Sequence, residues 1–93
     1  MPGLFSYMIY YTYILESVSS GMLYIGQTSN VVKRLQRHNE GRSRFIRGEG
    51  PCILLYSISF DMRSEAVLFE RKLKGFKNPK KVRDWINQQS TNS

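Results

Sequence analysis

The sequence predicts a small α+β domain, in which helices pack on a three-stranded antiparallel sheet in the order β-β-α-β-α-α. Two runs rich in β-branched and aromatic residues, 9–16 and 22–27, flank a short turn-forming segment and are typical of a hairpin. A third run of this kind spans 52–60. Apolar residues then recur at helical spacing between 66 and 86, which predicts helices that bury one side.

The hairpin is followed by a short helix and a basic loop. Residues 17–21 supply the turn chemistry that joins the first two strands. N-cap candidates at 28–30 begin a helix that runs to about Asn39, and Gly41 supplies a left-handed stop. The glycines and arginines between 41 and 51 predict a flexible basic loop.

Two helices complete the domain after the third strand. Asp61 is placed to cap the first of them, and Gly75 weakens its end. The core stripe of this helix consists of Ala66, Phe69, Leu73 and Phe76. Pro79 opens a final helix that runs to about Gln88. The side chains expected to face inward from it are Val82, Trp85 and Ile86.

These elements form one domain, 9–88, with a short segment on each side. Residues 1–8 contain Pro2 and Gly3 without a clear period, so we expect a flexible extension, and Met8 is an alternative start. The polar residues of 89–93 predict a disordered tail.

Composition indicates the class of binding partner and the cellular compartment of this chain. The 14 Lys and Arg residues outnumber the 7 Asp and Glu residues, and the net charge of +7 favours nucleic acid before an anionic membrane. The lone Cys52 excludes an intrachain disulfide and a cysteine-based metal finger, and it fits a reducing compartment.

No run of the sequence approaches the roughly 20 apolar residues of a membrane span. A signal peptide is not expected, since no basic residue precedes Glu16. We therefore expect a cytoplasmic protein.

Two tyrosine motifs and an arginine are the candidates for chemistry. Tyr13 ends the motif Tyr-Thr-Tyr in the first strand, Tyr24 begins Tyr-Ile-Gly in the second, and Arg34 follows on the helix. A phenol can hold or take a proton from water, and the arginine fork matches phosphate oxygens. Packing is the ordinary explanation for tyrosines in a small sheet, but the spacing to Arg34 favours a site that handles phosphate.

The order and spacing of these motifs resemble the GIY-YIG nuclease superfamily, and in particular its small stand-alone bacterial branch. The nuclease domain of the excision-repair incision subunit is a more distant relative. The resemblance covers roughly Ile9 to Ile86 and includes His38-Asn39-Glu40-Gly41 and the segments 47–51 and 63–74. It implies metal-dependent hydrolysis of phosphodiester bonds.

The resemblance also implies roles for residues of this chain. Tyr13 corresponds to the tyrosine that activates or orients the attacking water, and Tyr24 shares that task or positions the phosphate. Arg34 is aimed at the charge that builds on the phosphate oxygens, and His38 corresponds to a histidine that part of the superfamily has near the nucleophile. Glu70 corresponds to the metal-binding glutamate, which holds a single Mg²⁺ or Mn²⁺ largely through water.

Several alternatives stay open from the residues alone. A phenol has an ordinary pKa of about 10, and we expect Arg34, Arg37 and one divalent ion to lower it. Helical phasing does not distinguish Glu65 from Glu70. A cation that complements a helix C-terminus is the alternative role for His38.

Basic residues outside the core motifs are candidate phosphate contacts that position a nucleic acid without reading its sequence. They are Arg37, Arg42, Arg44, Arg47 and Lys72. The chain departs from the family pattern in two ways: its first motif, 11–13, reads Tyr-Thr-Tyr instead of Gly-Ile-Tyr, and Gln27 replaces a lysine of the incision subunit.

The sequence therefore predicts a divalent-metal-dependent endonuclease that acts on DNA in repair, recombination or defence. The alternative is a catalytically weak or inactive nucleic-acid-binding module of the same fold. A basic structural protein that binds RNA or acidic proteins is a third hypothesis. A protein partner or a homodimer stays open, since cutting both strands at once needs two sites.

Overall fold

The computed structural model describes residues 8–40 and 51–91 and confirms the predicted order of elements. The strands are β1 Tyr10–Ser17, β2 Leu23–Thr28 and β3 Cys52–Phe60. The helices are α1 Val31–Asn39, α2 Arg63–Lys74 and α3 Pro79–Thr91. None of these three helices is long and apolar enough to cross a membrane. The predicted extension up to residue 7, the Gly41 stop and the basic loop 41–50 lie outside the described residues.

β1 is the central strand and pairs antiparallel with both neighbours, in the order β2-β1-β3. A bulge interrupts its pairing with β3, because Ile14 faces Tyr56 while the next residue, Leu15, faces Leu54. Leu55 is the extra residue between the two pairs. A bulge breaks the alternation of inward and outward side chains, which explains why the apolar pattern of β3 is irregular.

Several predicted boundaries are wrong. β1 and β2 each begin and end one residue later than predicted. Asp61 does not cap α2, because Met62 occupies the N-cap position and makes no side-chain hydrogen bond there. Residues 89–91, predicted as part of the tail, continue α3 instead. The Gln89 side chain supports this extra turn by donating a hydrogen bond to the Trp85 carbonyl at 3.3 Å.

Alternation along β1 divides the core between the two faces of the sheet. On one face Tyr13, Leu15 and Cys52 are buried together. Tyr24 of β2 and Leu35 of α1 pack against this cluster. The smaller core therefore lies beneath α1 and includes the first candidate tyrosine.

The opposite face carries the larger core, where α2 and α3 pack. Its buried centre consists of Ile14, Leu73 and Val82. The Thr12 hydroxyl donates a hydrogen bond to the Ala66 carbonyl at 2.7 Å and so ties α2 to β1. The predicted inward-facing residues are confirmed, since Ala66, Leu73 and Val82 are buried. The partly buried members of the set are Phe69, Phe76, Trp85 and Ile86.

Side-chain hydrogen bonds hold both ends of α1. Asn30, one of the three predicted N-caps, accepts a hydrogen bond from the Lys33 backbone N–H at 3.0 Å. At the other end the Asn39 amide oxygen accepts from the Cys52 N–H at 2.6 Å, and its nitrogen donates to the Cys52 carbonyl at 3.3 Å. The helix is thereby fixed to β3, together with the residues that it presents to the sheet.

Arg83 of α3 clamps the turn between β1 and β2. Its Nη1 donates to the Glu16 carboxylate, and its Nη2 donates to the Gly21 carbonyl at 2.5 Å. Gly21 has a positive φ of 77°, which glycine adopts without strain. The clamp therefore fixes α3 against the far end of the hairpin.

Replacing Arg83 with alanine should lower the free energy of unfolding by about 1–3 kcal/mol, because the partly buried Glu16 carboxylate loses its charged partner. Urea unfolding followed by circular dichroism measures the change. Arg71→Ala, at an exposed position of α2, is the matched control and should cost less than about 0.5 kcal/mol. Equal losses in the two variants would contradict the clamp.

Candidate active site

Tyr13 lies directly against the backbone of the outer strand β2. It faces Gly26 in the β1–β2 pairing and is only 4% exposed. A Cβ added at Gly26 would lie 2.4 Å from the Tyr13 hydroxyl oxygen and 2.7 Å from its Cζ atom. Glycine at this position therefore allows the phenol to cross β2 in close contact with the strand.

Arg34 reaches the same hydroxyl group from α1. Its Nη1 donates a long hydrogen bond to the Tyr13 oxygen, at 3.5 Å. The arginine lies one turn after the N-cap, where its backbone N–H bonds to the Asn30 carbonyl at 3.1 Å. A guanidinium has five N–H donors, so this contact leaves most of them for another ligand.

His38 lies one turn further along α1, on the same side of the helix as Arg34. Its ring meets Tyr13 edge-on, with the ring centroids 6.3 Å apart and 61° between the planes. The residue is 9% exposed. Neither ring nitrogen has a hydrogen-bond partner among the described residues. Buried polar groups without partners are rare in folded proteins, and this one marks a position suited to function.

Burial is the largest reason that the pKa of His38 is lowered, and the charges of Arg34 and Arg37 lower it further. The imidazole is therefore neutral at pH 7. This disfavours the alternative in which His38 is a cation that complements the end of α1. A neutral imidazole can accept a proton at one nitrogen and donate from the other.

Burial also raises the pKa of Tyr13, and it outweighs the opposing effects of the Arg34 charge and hydrogen bond. The predicted lowering by Arg34 is present, but the net shift is opposite to the expectation. The reason is desolvation, which penalises a phenolate more than one nearby guanidinium stabilises it. Tyr13 is therefore a neutral phenol, able to donate or accept a hydrogen bond.

Glu70 and Lys74 bring two further charges to Tyr13 from α2. The Glu70 carboxylate and the Lys74 ammonium are paired at 2.6 Å. Glu70 raises the pKa of Tyr13 and Lys74 lowers it, whereas exposed Glu65 has no such effect. The structure therefore favours Glu70 over Glu65 as the acidic residue of this site. Lys74 was missed in the sequence, although a Glu-Lys pair at i,i+4 spacing is a recognisable signal.

The second candidate tyrosine lies beside the first. Tyr24 is partly buried and packs against the cluster that contains Tyr13. Both side chains lie on the face of the sheet that α1 covers. The structure thus brings the five central candidates into one neighbourhood at the β2 side of the sheet. They are Tyr13, Tyr24, Arg34, His38 and Glu70.

The other predicted basic residues are not part of this group of five, although the Arg37 charge contributes to the lowered pKa of His38. The Lys72 ammonium lies over the Phe69 ring, 5.7 Å from its centroid, and Phe69 packs in the larger core on the opposite face. Arg37 is exposed on α1 and lines a cleft with Gln36, Glu40 and Lys33. Lys33 is a second basic residue that the sequence reasoning did not single out. Arg42, Arg44 and Arg47 lie outside the described residues.

Glu70 is the described carboxylate best placed to bind a cation near Tyr13. Across residues 8–40 and 51–91 there is no group of three or more His, Cys, Asp or Glu residues that could hold a metal ion. Lys74 engages only the Oε2 atom of Glu70. A single carboxylate oxygen suits Mg²⁺, which keeps several of its waters and also binds substrate phosphate. The residues present therefore fit one weakly held divalent ion.

Residues 9–83 match the family model of the GIY-YIG catalytic domain. The chain therefore belongs to the GIY-YIG family, and this membership points to nuclease activity in general and to nucleic-acid binding.

Several UPF0213 proteins are similar to this chain. One from Streptococcus agalactiae is 42% identical over 65 residues, which are 69% of this chain and 73% of that protein. One from Nitratidesulfovibrio vulgaris is 39% identical over 67 residues, so that the match covers 71% of this chain but only 60% of that protein. The solution NMR structure of a UPF0213 protein from Bacillus halodurans is 34% identical, has a TM-score of 0.51, and covers 82% of this chain and 81% of that one.

His38 should make stability depend on pH. Because its pKa is lowered by folding, the unfolded chain binds a proton at a higher pH than the folded chain does. The contribution of His38 to stability is therefore fully present above the ordinary histidine pKa of about 6.5. This contribution is lost as pH falls towards the folded pKa, by at most about 1.4 kcal/mol per pH unit. The chain has one histidine, so NMR titration of its ring gives the folded pKa directly. His38→Gln should remove this part of the slope, and a folded pKa of about 6.5 or higher would contradict the argument.

Gly26→Ala should displace Tyr13 and lower the free energy of unfolding by about 1–3 kcal/mol, since the new methyl group overlaps the phenol. Chemical denaturation measures the loss. The double variant Gly26→Ala/Tyr13→Leu, compared with Tyr13→Leu alone, is the control, because a shorter side chain at position 13 removes the overlap. If the alanine costs as much in the Tyr13→Leu background as in the wild-type chain, the close contact is not its cause.

Proposed function

We propose that the protein is a divalent-metal-dependent endonuclease that hydrolyses phosphodiester bonds in DNA, in repair, recombination or defence. The observation that carries this proposal is the convergence on one hydroxyl group of an arginine from α1 and an ion pair from α2. Arg34 donates to the Tyr13 hydroxyl oxygen, and Glu70 and Lys74 act on its pKa. A neutral phenol between fixed charges suits the binding and polarisation of a phosphodiester.

Arg34 has the role of stabilising the transition state. Its guanidinium is permanently charged, and its contact with Tyr13 is long and uses a single N–H group. Its remaining donors have no partner within the part of the chain that the structure describes, so they can bind phosphate oxygens as negative charge grows on them. Donors fixed in advance in this way are worth about 10²–10³ in rate.

Tyr13 and His38 handle the attacking water in this proposal. Tyr13 keeps its proton at neutral pH, since its pKa lies above the ordinary value of about 10, and its oxygen orients water through hydrogen bonds. His38 is a neutral imidazole whose ring nitrogens are without partners among the described residues, so it can accept the proton that the water loses. Tyr24 packs beside Tyr13 and helps to position the phosphate.

Glu70 would hold the metal ion through the carboxylate oxygen that Lys74 does not engage. A bound Mg²⁺ or Mn²⁺ supplies positive charge that acidifies water and neutralises phosphate oxygens. The long-range attraction of the substrate comes from the net charge of +7. Lys33 and Arg37 add a basic surface beside the site on α1.

Two observations favour a binding module that does not cut. Burial raises the pKa of Tyr13, and Lys74 already neutralises part of Glu70. A site in this state can attract a phosphate and still lack a base or a metal strong enough for hydrolysis. Such a module would bind nucleic acid with a steep dependence on salt and leave it intact.

Arg34→Ala should lower kcat for metal-dependent cleavage of flap or branched DNA by about 10²–10³-fold, because a transition-state donor is lost. Gel-based cleavage of labelled substrates in Mg²⁺ or Mn²⁺ measures the rate, and fluorescence anisotropy measures DNA affinity in parallel. Arg71→Ala is the matched control for the loss of one positive charge on an exposed helix. Wild-type protein that binds these substrates but cuts none of them would support the binding module.

A separate NMR experiment, which does not depend on cleavage, tests Glu70 as the metal ligand. Mn²⁺ is paramagnetic, so a bound ion broadens the NMR signals of neighbouring backbone amides. Broadening centred on Glu70 should disappear in Glu70→Gln and persist in Glu65→Gln, which removes the same charge from an exposed position of α2. Broadening that moves with Glu65 instead would overturn the assignment.

A further inference from the structure

A pocket of about 280 Å³ opens on the face of β2 opposite the two candidate tyrosines. Leu23 and Ile25 of β2 form one wall, and Val82 of α3 contributes to the other. Both β2 residues are partly buried and pack against the larger core. The walls are therefore aliphatic and are held by the larger core.

The rim of the pocket is cationic and carries a free hydrogen-bond donor. Lys74 and Lys77 lie along it, followed by Asn78. The Asn78 side-chain oxygen accepts from the Lys80 backbone N–H at 2.9 Å, which caps α3. Its amide nitrogen has no hydrogen-bond partner among the described residues and so can donate to a ligand. Lys74 also pairs with Glu70, and it thereby connects the pocket to the candidate active site.

We propose that this pocket holds the base of an unpaired DNA nucleotide that adjoins the scissile phosphate. The inference rests on the proposed nuclease function and adds a substrate preference to it. A volume of 280 Å³ lies just below the range of about 300–1,000 Å³ for drug-sized ligands, so it suits a single base. Aliphatic walls cover the faces of a base, the Asn78 amide meets a ring acceptor, and the two ammonium groups meet its flanking phosphates.

The position of the pocket explains why the nucleotide must be unpaired. β2 is an outer strand of the sheet, so only its own thickness separates the pocket from the phenols on the other face. A DNA backbone that crosses this edge with one phosphate near Arg34 places a neighbouring base beside the pocket. A base enters such a pocket only after leaving its stack, which costs least in single strands, flaps and mismatches.

Lys77 supplies a second reason to regard this rim as functional. Its φ is 56°, the one positive φ among the described residues other than glycine. A side chain in this left-handed region costs of the order of 1–3 kcal/mol, and glycine would avoid the cost. Strain of this kind is concentrated at ligand sites, and here it directs a lysine to the rim of the pocket.

Thymidine 3′,5′-bisphosphate is a direct probe, because it presents one base between two phosphates. In metal-free buffer it should bind roughly tenfold more tightly than its abasic analogue, 1′,2′-dideoxyribose 3′,5′-bisphosphate, since burying one base adds about that much affinity. NMR titration of ¹⁵N-labelled protein gives both affinities and maps the site. The amide signals of Leu23, Ile25 and Val82 should move with the thymidine probe and not with the abasic one.

Three variants test the residues. Asn78→Asp keeps the oxygen that caps α3 but removes the donor, so the tenfold preference for the base should fall to about twofold or less. Lys77→Gly removes a phosphate contact and relieves strain, so both probes should bind several-fold more weakly although the fold is kept. Lys80→Ala removes a charge from an exposed position that does not line the pocket, and it should leave the preference unchanged.

Equal affinity for the two probes, or shifts confined to α1, would overturn the inference. The outcome is independent of catalysis, because no bond is cut in the titration. A base preference in a protein that cleaves no DNA would leave the pocket assigned and remove the nuclease proposal. Cleavage of DNA without any base preference would remove the pocket assignment alone.

Discussion

The close contact between the Tyr13 ring and the backbone of Gly26 determines where the other groups of the site can lie. Because the phenol crosses the outer strand, its hydroxyl emerges at the side of the sheet, where helices on both faces can approach it. Arg34 reaches it from α1 at 3.5 Å. The charges of Glu70 and Lys74 reach it from α2. A larger residue in place of Gly26 would move the one atom on which these contributions converge.

Burial and charge compete at this hydroxyl, and burial has the larger effect on the pKa of Tyr13. Desolvation is also the largest effect on the pKa of His38, and both rings are neutral at pH 7. Arg34 stays charged, as a guanidinium always does. With Lys74 offsetting Glu70, the immediate surroundings of the phenol are on balance positive. A site with neutral proton carriers and fixed positive charge can bind a phosphodiester without first losing a proton.

Local sequence patterns predicted the fold because they depend on interactions between neighbouring residues. The hairpin, the helical stripe that includes Leu73, and the Asn30 cap all follow from propensity and spacing. Two features that the sequence did not predict depend on tertiary contacts. The bulge at Leu55 arises only when β3 pairs with β1, and the direction of the Tyr13 pKa shift depends on how much protein surrounds the ring. The family resemblance placed the site residues on the chain, whereas their burial and partners required the structure.

The arrangement also shows how a chain with a thin core can position a site accurately. Asn30 and Asn39 fix the two ends of α1, which carries Arg34 and His38. The Thr12 hydroxyl ties α2, which carries Glu70, to the central strand β1. Side chains on such elements are held more precisely than side chains on loops. The outer strand β2 then serves two purposes, because alternate residues face opposite sides. Tyr24 faces the buried cluster that contains Tyr13, whereas Leu23 and Ile25 face the pocket. One strand of six residues therefore joins the two surfaces.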